Sequence, residues 1–207
     1  MVYFTSDTHF GSIRALAFSK RPFSSVEEMN HTLVTNWNKK VTDDDVVYHL
    51  GDFGNREYAS VLNGKIIFLP GNYERDEFQG DEDTMNEELH SSFDIVVTTP
   101  RNEVPLAVLC KMANDRKLRR YIEECSEITG REISLVTSLI YMMHEPSRHV
   151  NISTCLNLYG HIHGRQMVRR YGMDVGVDAH HFYPVSLADV IFYWTAILKY
   201  YDKEVFN

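Results

Sequence analysis

Met1-Val2-Tyr3-Phe4-Thr5-Ser6-Asp7-Thr8-His9-Phe10-Gly11 opens the chain and decides how the rest is read. Met1 to Thr5 has the length and apolar character of a buried strand. Directly behind it stand a carboxylate and an imidazole two residues apart. Working outward, the same pattern recurs four times. Val46 to Leu50 precedes Gly51-Asp52, and Lys65 to Leu69 precedes Gly71-Asn72. Ser138 to Met143 precedes His144, and Leu156 to Tyr159 precedes Gly160-His161-Ile162-His163. Strands that end in Asp, Asn and His at one edge of a sheet can converge on one point. Mixed imidazole and carboxylate donors suit Mn, Fe, Zn or Ni better than Ca or Mg.

Each cluster alone has an ordinary explanation. Asp7 and Asp52 could cap turns, and His144 could be a satisfied interior histidine. The argument rests on all five in order, each behind a strand. His49 lies inside the strand before Asp52 and reads as a structural residue that orients a neighbour.

Between these strands run helix signals, so the chain reads as α/β layers. Ser24 with Glu27 and Ser25 with Glu28 offer two overlapping capping boxes ahead of Val26, Met29, Leu33, Val34 and Trp37, which recur at helical spacing up to about Lys40. A short helix is expected from Arg56 to Leu62, stopped by Asn63-Gly64. Another opens at Ser186 and runs through about Lys199. In the stretch 100–130, Leu106, Leu109, Cys110 and Ala113 mark one short helix. Leu118, Tyr121, Ile122, Cys125 and Ile128 mark the apolar face of a longer one, capped by Asp115 and ended by Gly130.

At 207 residues, 43% hydrophobic and 24% charged, the chain is expected to be one globular domain over 1–207. No apolar run approaches the roughly 20 residues that span a bilayer, and no leader sequence is read at the start. Cys110, Cys125 and Cys155 share no C-x-x-C spacing and imply no disulfide framework, which suits a reducing cytoplasm. The net charge of −8 disfavours long nucleic acid as a partner. Arg119 with Glu123 and Arg120 with Glu124 stand four apart, so the basic cluster of that helix reads as a self-neutralised, solvated face.

The order of the five clusters resembles the calcineurin-like metallophosphoesterase superfamily, whose pattern is D-x-H, GD, GN-H-[DE], H and GH-x-H. The resemblance runs from Thr5 to about Leu187. It is closest to small prokaryotic members, given Tyr48-His49-Leu50-Gly51-Asp52-Phe53 and Gly176-Val177-Asp178. It implies a four-layer α/β/β/α sandwich of two facing mixed sheets; the stretch 100–130 does not belong to the minimal family pattern and reads as a helical insertion whose apolar stripe could pack on the domain, cover the site or form a homodimer contact. It implies two divalent metal ions, Mn first and Fe, Zn or Ni as alternatives. Asp7, His9 and His163 would hold one, Asn72, His144 and His161 the other, with Asp52 bridging. The implied activity is hydrolysis of a phosphodiester, small and nucleotide-like or cyclic, by a metal-activated water, with Asp52, Asn72 and Tyr73 at the reacting group.

Tyr73 is the departure, standing where the family carries its catalytic His. Tyr, with a pKa of about 10, is a poor general acid near neutrality but still donates a hydrogen bond. Glu74 is then expected to bind Tyr73 or solvent. His180 or His181 are candidates to replace the acid. Arg14 and Arg21 read as solvated, or as contacts for substrate phosphate. The alternative to an enzyme is a catalytically weakened protein of this fold acting as a binding or scaffold module.

Overall fold

The computed structural model describes residues 1–79, 81–99, 101–129, 133–146 and 150–202, with the side chains of 125–129 left aside. The chain forms two mixed, mostly parallel five-stranded sheets flanked by helices in an α/β/β/α arrangement.

The first sheet has the order β10-β1-β2-β3-β4, built from β1 (Val2–Thr5), β2 (Val46–His49), β3 (Lys65–Phe68), β4 (Ile95–Val96) and β10 (Val185–Ser186). Only β10 runs antiparallel to its neighbour. The second sheet has the order β5-β6-β7-β9-β8. Its strands are β5 (Asn102–Pro105), β6 (Leu139–Met142), β7 (Cys155–Tyr159), β8 (Val168–Arg169) and β9 (Gly172–Asp174). Its central pairs β6–β7 and β7–β9 are parallel.

Period-two alternation sorts the side chains of the first sheet between two cores. Val2, Phe4, Tyr48 and Ile67 face the core shared with the second sheet. Tyr3, Val47, Ile66 and Phe68 face outward, onto Met29, Leu33 and Trp37 of α2 (Val26–Lys40) and Met85 and Leu89 of α4 (Glu82–His90). Ser25 caps α2 by accepting from the Glu28 N–H, while the Glu28 carboxylate turns back to the N–H of Ser24. The two overlapping boxes thus merge into one interleaved cap.

Helices α5 (Leu106–Ala113), α6 (Arg116–Thr129) and α7 (Leu187–Tyr200) contribute to the inter-sheet core. Leu106, Leu109, Cys110, Ala113, Leu118 and Ile122 are all buried there, and Asp115 caps α6 through the N–H groups of Lys117 and Leu118. Among the described side chains, the apolar stripe that could have made a dimer contact is, Tyr121 apart, spent inside the chain. Tyr121, expected on that face, is exposed, the contribution of Cys125 and Ile128 falls among the side chains left aside, and the stop at Gly130 lies outside the described residues. Arg120 pairs with Glu124 at 2.8 Å on the exposed side.

The segment expected to be a helix from Arg56 to Leu62 is a 3-10 helix over Arg56–Val61, and Gly64 beyond it has φ +87°. Among the described residues, no helix is long and apolar enough to cross a membrane.

Candidate metal centre

Parallel pairing continues past the strand ends, and that continuation places the site. Beyond β1 and β2, the Asp7 N–H donates to Gly51 O at 3.0 Å and the His9 N–H to Asp52 O at 3.0 Å. Beyond β6 and β7, the Gly160 N–H donates to His144 O at 3.0 Å. The two sheets thus deliver their loops to one edge. Asp7, His9 and His163 form one group, and Asp52, His144 and His161 a second. Within each, one potential donor atom per residue lies within 4.8 Å of the others. Asp52 Oδ2 sits between them, 3.6 Å from His9 Nε2 and 3.3 Å from His144 Nε2. Asn72 Oδ1 joins the second group, 3.0 Å from His144 Nε2 and 2.9 Å from His161 Nδ1.

The backbone is forced here. Asp7, His9, Asp52, His161 and His163 have φ of +58°, +49°, +57°, +70° and +49°, a region non-glycine residues rarely enter. Strain of this kind persists only where the surroundings over-determine it, and it gathers at functional sites. Two glycines make the crowding feasible. A Cβ on Gly51, at φ +96°, would fall 2.5 Å from the Gly71 backbone, and one on Gly160 would fall 2.3 Å from Asp7 Oδ2.

Each donor is held from behind. His144 Nδ1 lies 2.7 Å from the Leu50 carbonyl, which holds a proton on Nδ1 and turns Nε2 toward Asp52 and Asn72. His163 Nδ1 donates to Asp178 Oδ2 at 2.7 Å, turning its Nε2 toward Asp7 at 3.9 Å. Asp7 itself accepts from the His161 N–H at 3.1 and 2.9 Å. His49, fully buried, contacts Thr8 Oγ1 at 3.0 Å, and Thr8 in turn donates to Phe53 O, so His49 braces the loops rather than joining either group.

Two expectations need correction. Arg21 is neither solvated nor aimed at substrate: it is buried, makes a two-pronged pair with Asp178 at 2.8 and 2.9 Å, and donates to the carbonyls of Asp7 and Thr8. Its partner lies 157 residues away, beyond the reach of local pattern. Glu74 binds neither Tyr73 nor solvent. It is buried and accepts from the N–H groups of Asp52, Phe53 and Gly71 at 3.0, 2.9 and 2.8 Å, which makes it the brace of the Gly51-Asp52 loop. A sequence signal existed: an acid three residues after the glycine that caps α3 (Asn72–Glu77) is the spacing of a capping box.

Tyr73 gives its N–H to Asp52 Oδ1 at 3.0 Å and packs its ring against His9, centroids 4.8 Å apart at 73°. His180 and His181 do not reach the triads. His180 Nε2 binds the Asp174 carbonyl at 2.6 Å, and both line a separate cavity with Lys40, Tyr183 and Tyr193. Arg14 is exposed.

The electrostatics follow from crowding acid and base in a buried place. Burial pushes the Asp7 carboxyl up, against the pull of His144 and His163. Burial also works against charge on Asp52, but His144, His9 and the Tyr73 N–H together hold it below the ordinary range. His144 is raised to about 9, because the Asp52 and Asp7 carboxylates outweigh its burial. Burial lowers His9 to about 3 and His49 to about 3, so both are neutral. Asp174, buried beside Asp7 and accepting from Gly164 and Gly176, is raised to about 7.

Whether these residues suit metal ions can be judged on one atom. His9 Nε2 is buried and has no hydrogen-bond partner, although a polar nitrogen left so is costly. A neutral imidazole with a free lone pair, aimed among carboxylates, is what a divalent ion requires. The set fits metal-dependent hydrolytic chemistry.

No family model matches the chain. A stretch of 82 residues is 45% identical to the uncharacterized protein MJ1445 of Methanocaldococcus jannaschii, covering 36% of this chain and 47% of that protein, so the match spans about half the length of that relative. Among solved structures, the chain is similar to the protein of unknown function AQ665 from Aquifex aeolicus, with a TM-score of 0.59 and 20% identity over 93% of this chain and 98% of that one. That likeness speaks for the fold. The chain has an α/β/β/α fold that carries two Asp/His triads side by side.

Proposed function

We propose that the protein is a metallophosphoesterase: a metal-dependent hydrolase that cleaves a small phosphodiester, nucleotide-like or cyclic. The observation that carries this reading is the position of Asp52 Oδ2 between two triads, 3.6 Å from one and 3.3 Å from the other. Asp7, His9 and His163 would hold one ion, Asn72, His144 and His161 the second, and Asp52 would serve both. Two divalent ions, Mn in the first instance, would supply Lewis acidity and an activated water there.

The chain's own groups do the rest. Asp52 takes the N–H of Tyr73 on Oδ1, which leaves Oδ2 turned toward both triads. Asn72 presents a neutral oxygen, so it adds a donor without adding repulsion toward an anionic substrate. Tyr73 stands at the rim and can donate its hydroxyl to a phosphoryl or leaving oxygen. With no imidazole acid at this position, departure of the alcohol depends on its own acidity. A diester with an acidic leaving group is therefore favoured over an alkyl monoester.

The deciding experiment is a screen of purified, Mn-loaded protein against mono-, di- and cyclic phosphoesters, with metal content measured by elemental analysis. Hydrolysis of aryl diesters ahead of alkyl monoesters, at two ions per chain, supports the reading. Two ions bound with no turnover on any phosphoester would favour the scaffold alternative.

A further inference from the structure

Two aromatic side chains border the centre. Phe18 ends α1 (Ile13–Phe18), a six-residue helix whose buried side chain is Ala15. Its ring contacts among the described residues are the two imidazoles of the Asp7 triad: His163 at 4.6 Å and 78°, and His9 at 5.7 Å and 86°. Those imidazoles stack on each other at 5.2 Å and 20°. Tyr73 meets His9 as well, at 4.8 Å and 73°. Both rings stay open, Phe18 at 41% and Tyr73 at 37% exposure.

Leaving a phenyl ring in water forfeits the gain of burying it. Single exposed apolar residues are commonplace. Here, however, two exposed rings meet one buried imidazole, at the mouth of a site built for charge. They offer what triads and phosphate do not use: exposed aromatic surface beside the candidate metal centre. A planar base stacks on aromatic side chains whatever its hydrogen-bonding pattern. The net charge of −8 turns the choice from polymer to small nucleotide.

We propose that Phe18 and Tyr73 form a specificity-determining rim that holds a nucleobase of the substrate by stacking, beside its phosphodiester at the Asp7 triad. The inference rests on the phosphoesterase reading above. It adds the class of the substituent that stays on phosphorus, a nucleoside, and the residues that recognise it.

The test compares two diesters that share one leaving group, thymidine 5′-(p-nitrophenyl phosphate) and methyl p-nitrophenyl phosphate, on the Mn-loaded full chain. The nucleoside ester should show a kcat/KM at least about tenfold higher, carried mainly by KM. Phe18→Ala should bring the ratio close to one, Phe18→Leu should do the same while keeping the bulk, and Phe18→Trp should retain the preference. A loss of packing alone would lower both substrates together and leave the ratio unmoved. Calorimetry supplies a second readout on the Zn-loaded protein: AMP should bind about tenfold tighter than ribose 5-phosphate, and Phe18→Leu should abolish the difference. Equal kcat/KM for the two diesters, or a ratio that survives both Phe18→Ala and Phe18→Leu, overturns the stacking rim and leaves the phosphodiesterase reading standing. If neither diester is cleaved and neither phosphate binds, the phosphoesterase reading itself falls, and the rim with it.

Discussion

Arg21 grips Asp178 with two parallel hydrogen bonds of 2.8 and 2.9 Å, and the same Asp178 carboxylate takes the Nδ1 proton of His163 at 2.7 Å. The guanidinium also donates to the carbonyls of Asp7 and Thr8. One buried cation thereby sets both loops of the Asp7 triad. Asp178→Asn removes no proposed metal donor, yet it should weaken binding of one ion about 10- to 100-fold, because His163 loses the partner that fixes its tautomer. Arg21→Met should be worse, leaving a buried carboxylate unpaired at a cost of about 3–5 kcal/mol. Metal titration and denaturant unfolding, run on both variants, check the pair of expectations.

Asp52→Asn should release both ions together, since its Oδ2 faces both triads. Elemental analysis after gel filtration reads this directly. Retention of both ions at wild-type affinity would sink the bridging assignment.

Glu74→Gln tests the brace. Glu74 accepts three backbone N–H bonds with two oxygens, and an amide turns an NH₂ group toward at least one of those donors. A loss of about 1–3 kcal/mol is expected, with weaker metal binding as the Asp52 loop slackens. The same geometry limits what Tyr73→His can restore. Glu74 is already engaged and is not available to orient a new imidazole, so the gain on alkyl diesters should stay below about tenfold. Thermal unfolding reads the first substitution and steady-state kinetics the second.

The pH dependence of the ion-free protein has a worked sign. His144 is raised from 6.5 to about 9, so its contribution is complete below 6.5 and is lost as pH climbs through 9. Asp174, raised to about 7, acts in the same direction, its contribution fading up to that value. His9 and His49 are lowered to about 3, so their contribution is present above 6.5 and is lost as pH falls toward 3. Asp7 and Glu74, both pushed up by burial, act in the same direction as His144, so the stability of chelator-treated protein should decline as pH climbs from 6.5 toward 9. Metal affinity should rise over that alkaline window, as the proton on His144 ceases to compete. Urea unfolding across the range, with and without ions, measures both.

Strand ends with Asp and His behind them, and helices with caps and 3.6-residue spacing, were legible because those signals are local. β1, β2, β3, β6 and β7 lie within a residue or two of the apolar runs that announced them. The strands β4, β8 and β10 are two residues long, too short for any period to register. Arg21 was misread because its reason for being buried sits in the loop of Asp178, and Glu74 because its partners are backbone N–H groups, which no side-chain pattern advertises. The Asp and His residues of the two triads could be named from order alone. Their supports required three dimensions.

Each triad straddles the seam between the sheets. Asp7 and His9 follow β1 of the first sheet while His163 follows β7 of the second, and Asp52 follows β2 while His144 and His161 follow β6 and β7. An ion held there is a cross-link between layers, tying positions separated by roughly a hundred residues or more of chain, and ties of that span are the ones that restrict an unfolded chain the most. A chelator should act on this fold as a reductant acts on a disulfide-linked one, unlocking one layer from the other as well as silencing the site. Amide exchange in β6 and β7 should then accelerate together with exchange in β1 and β2 when the ions are withdrawn.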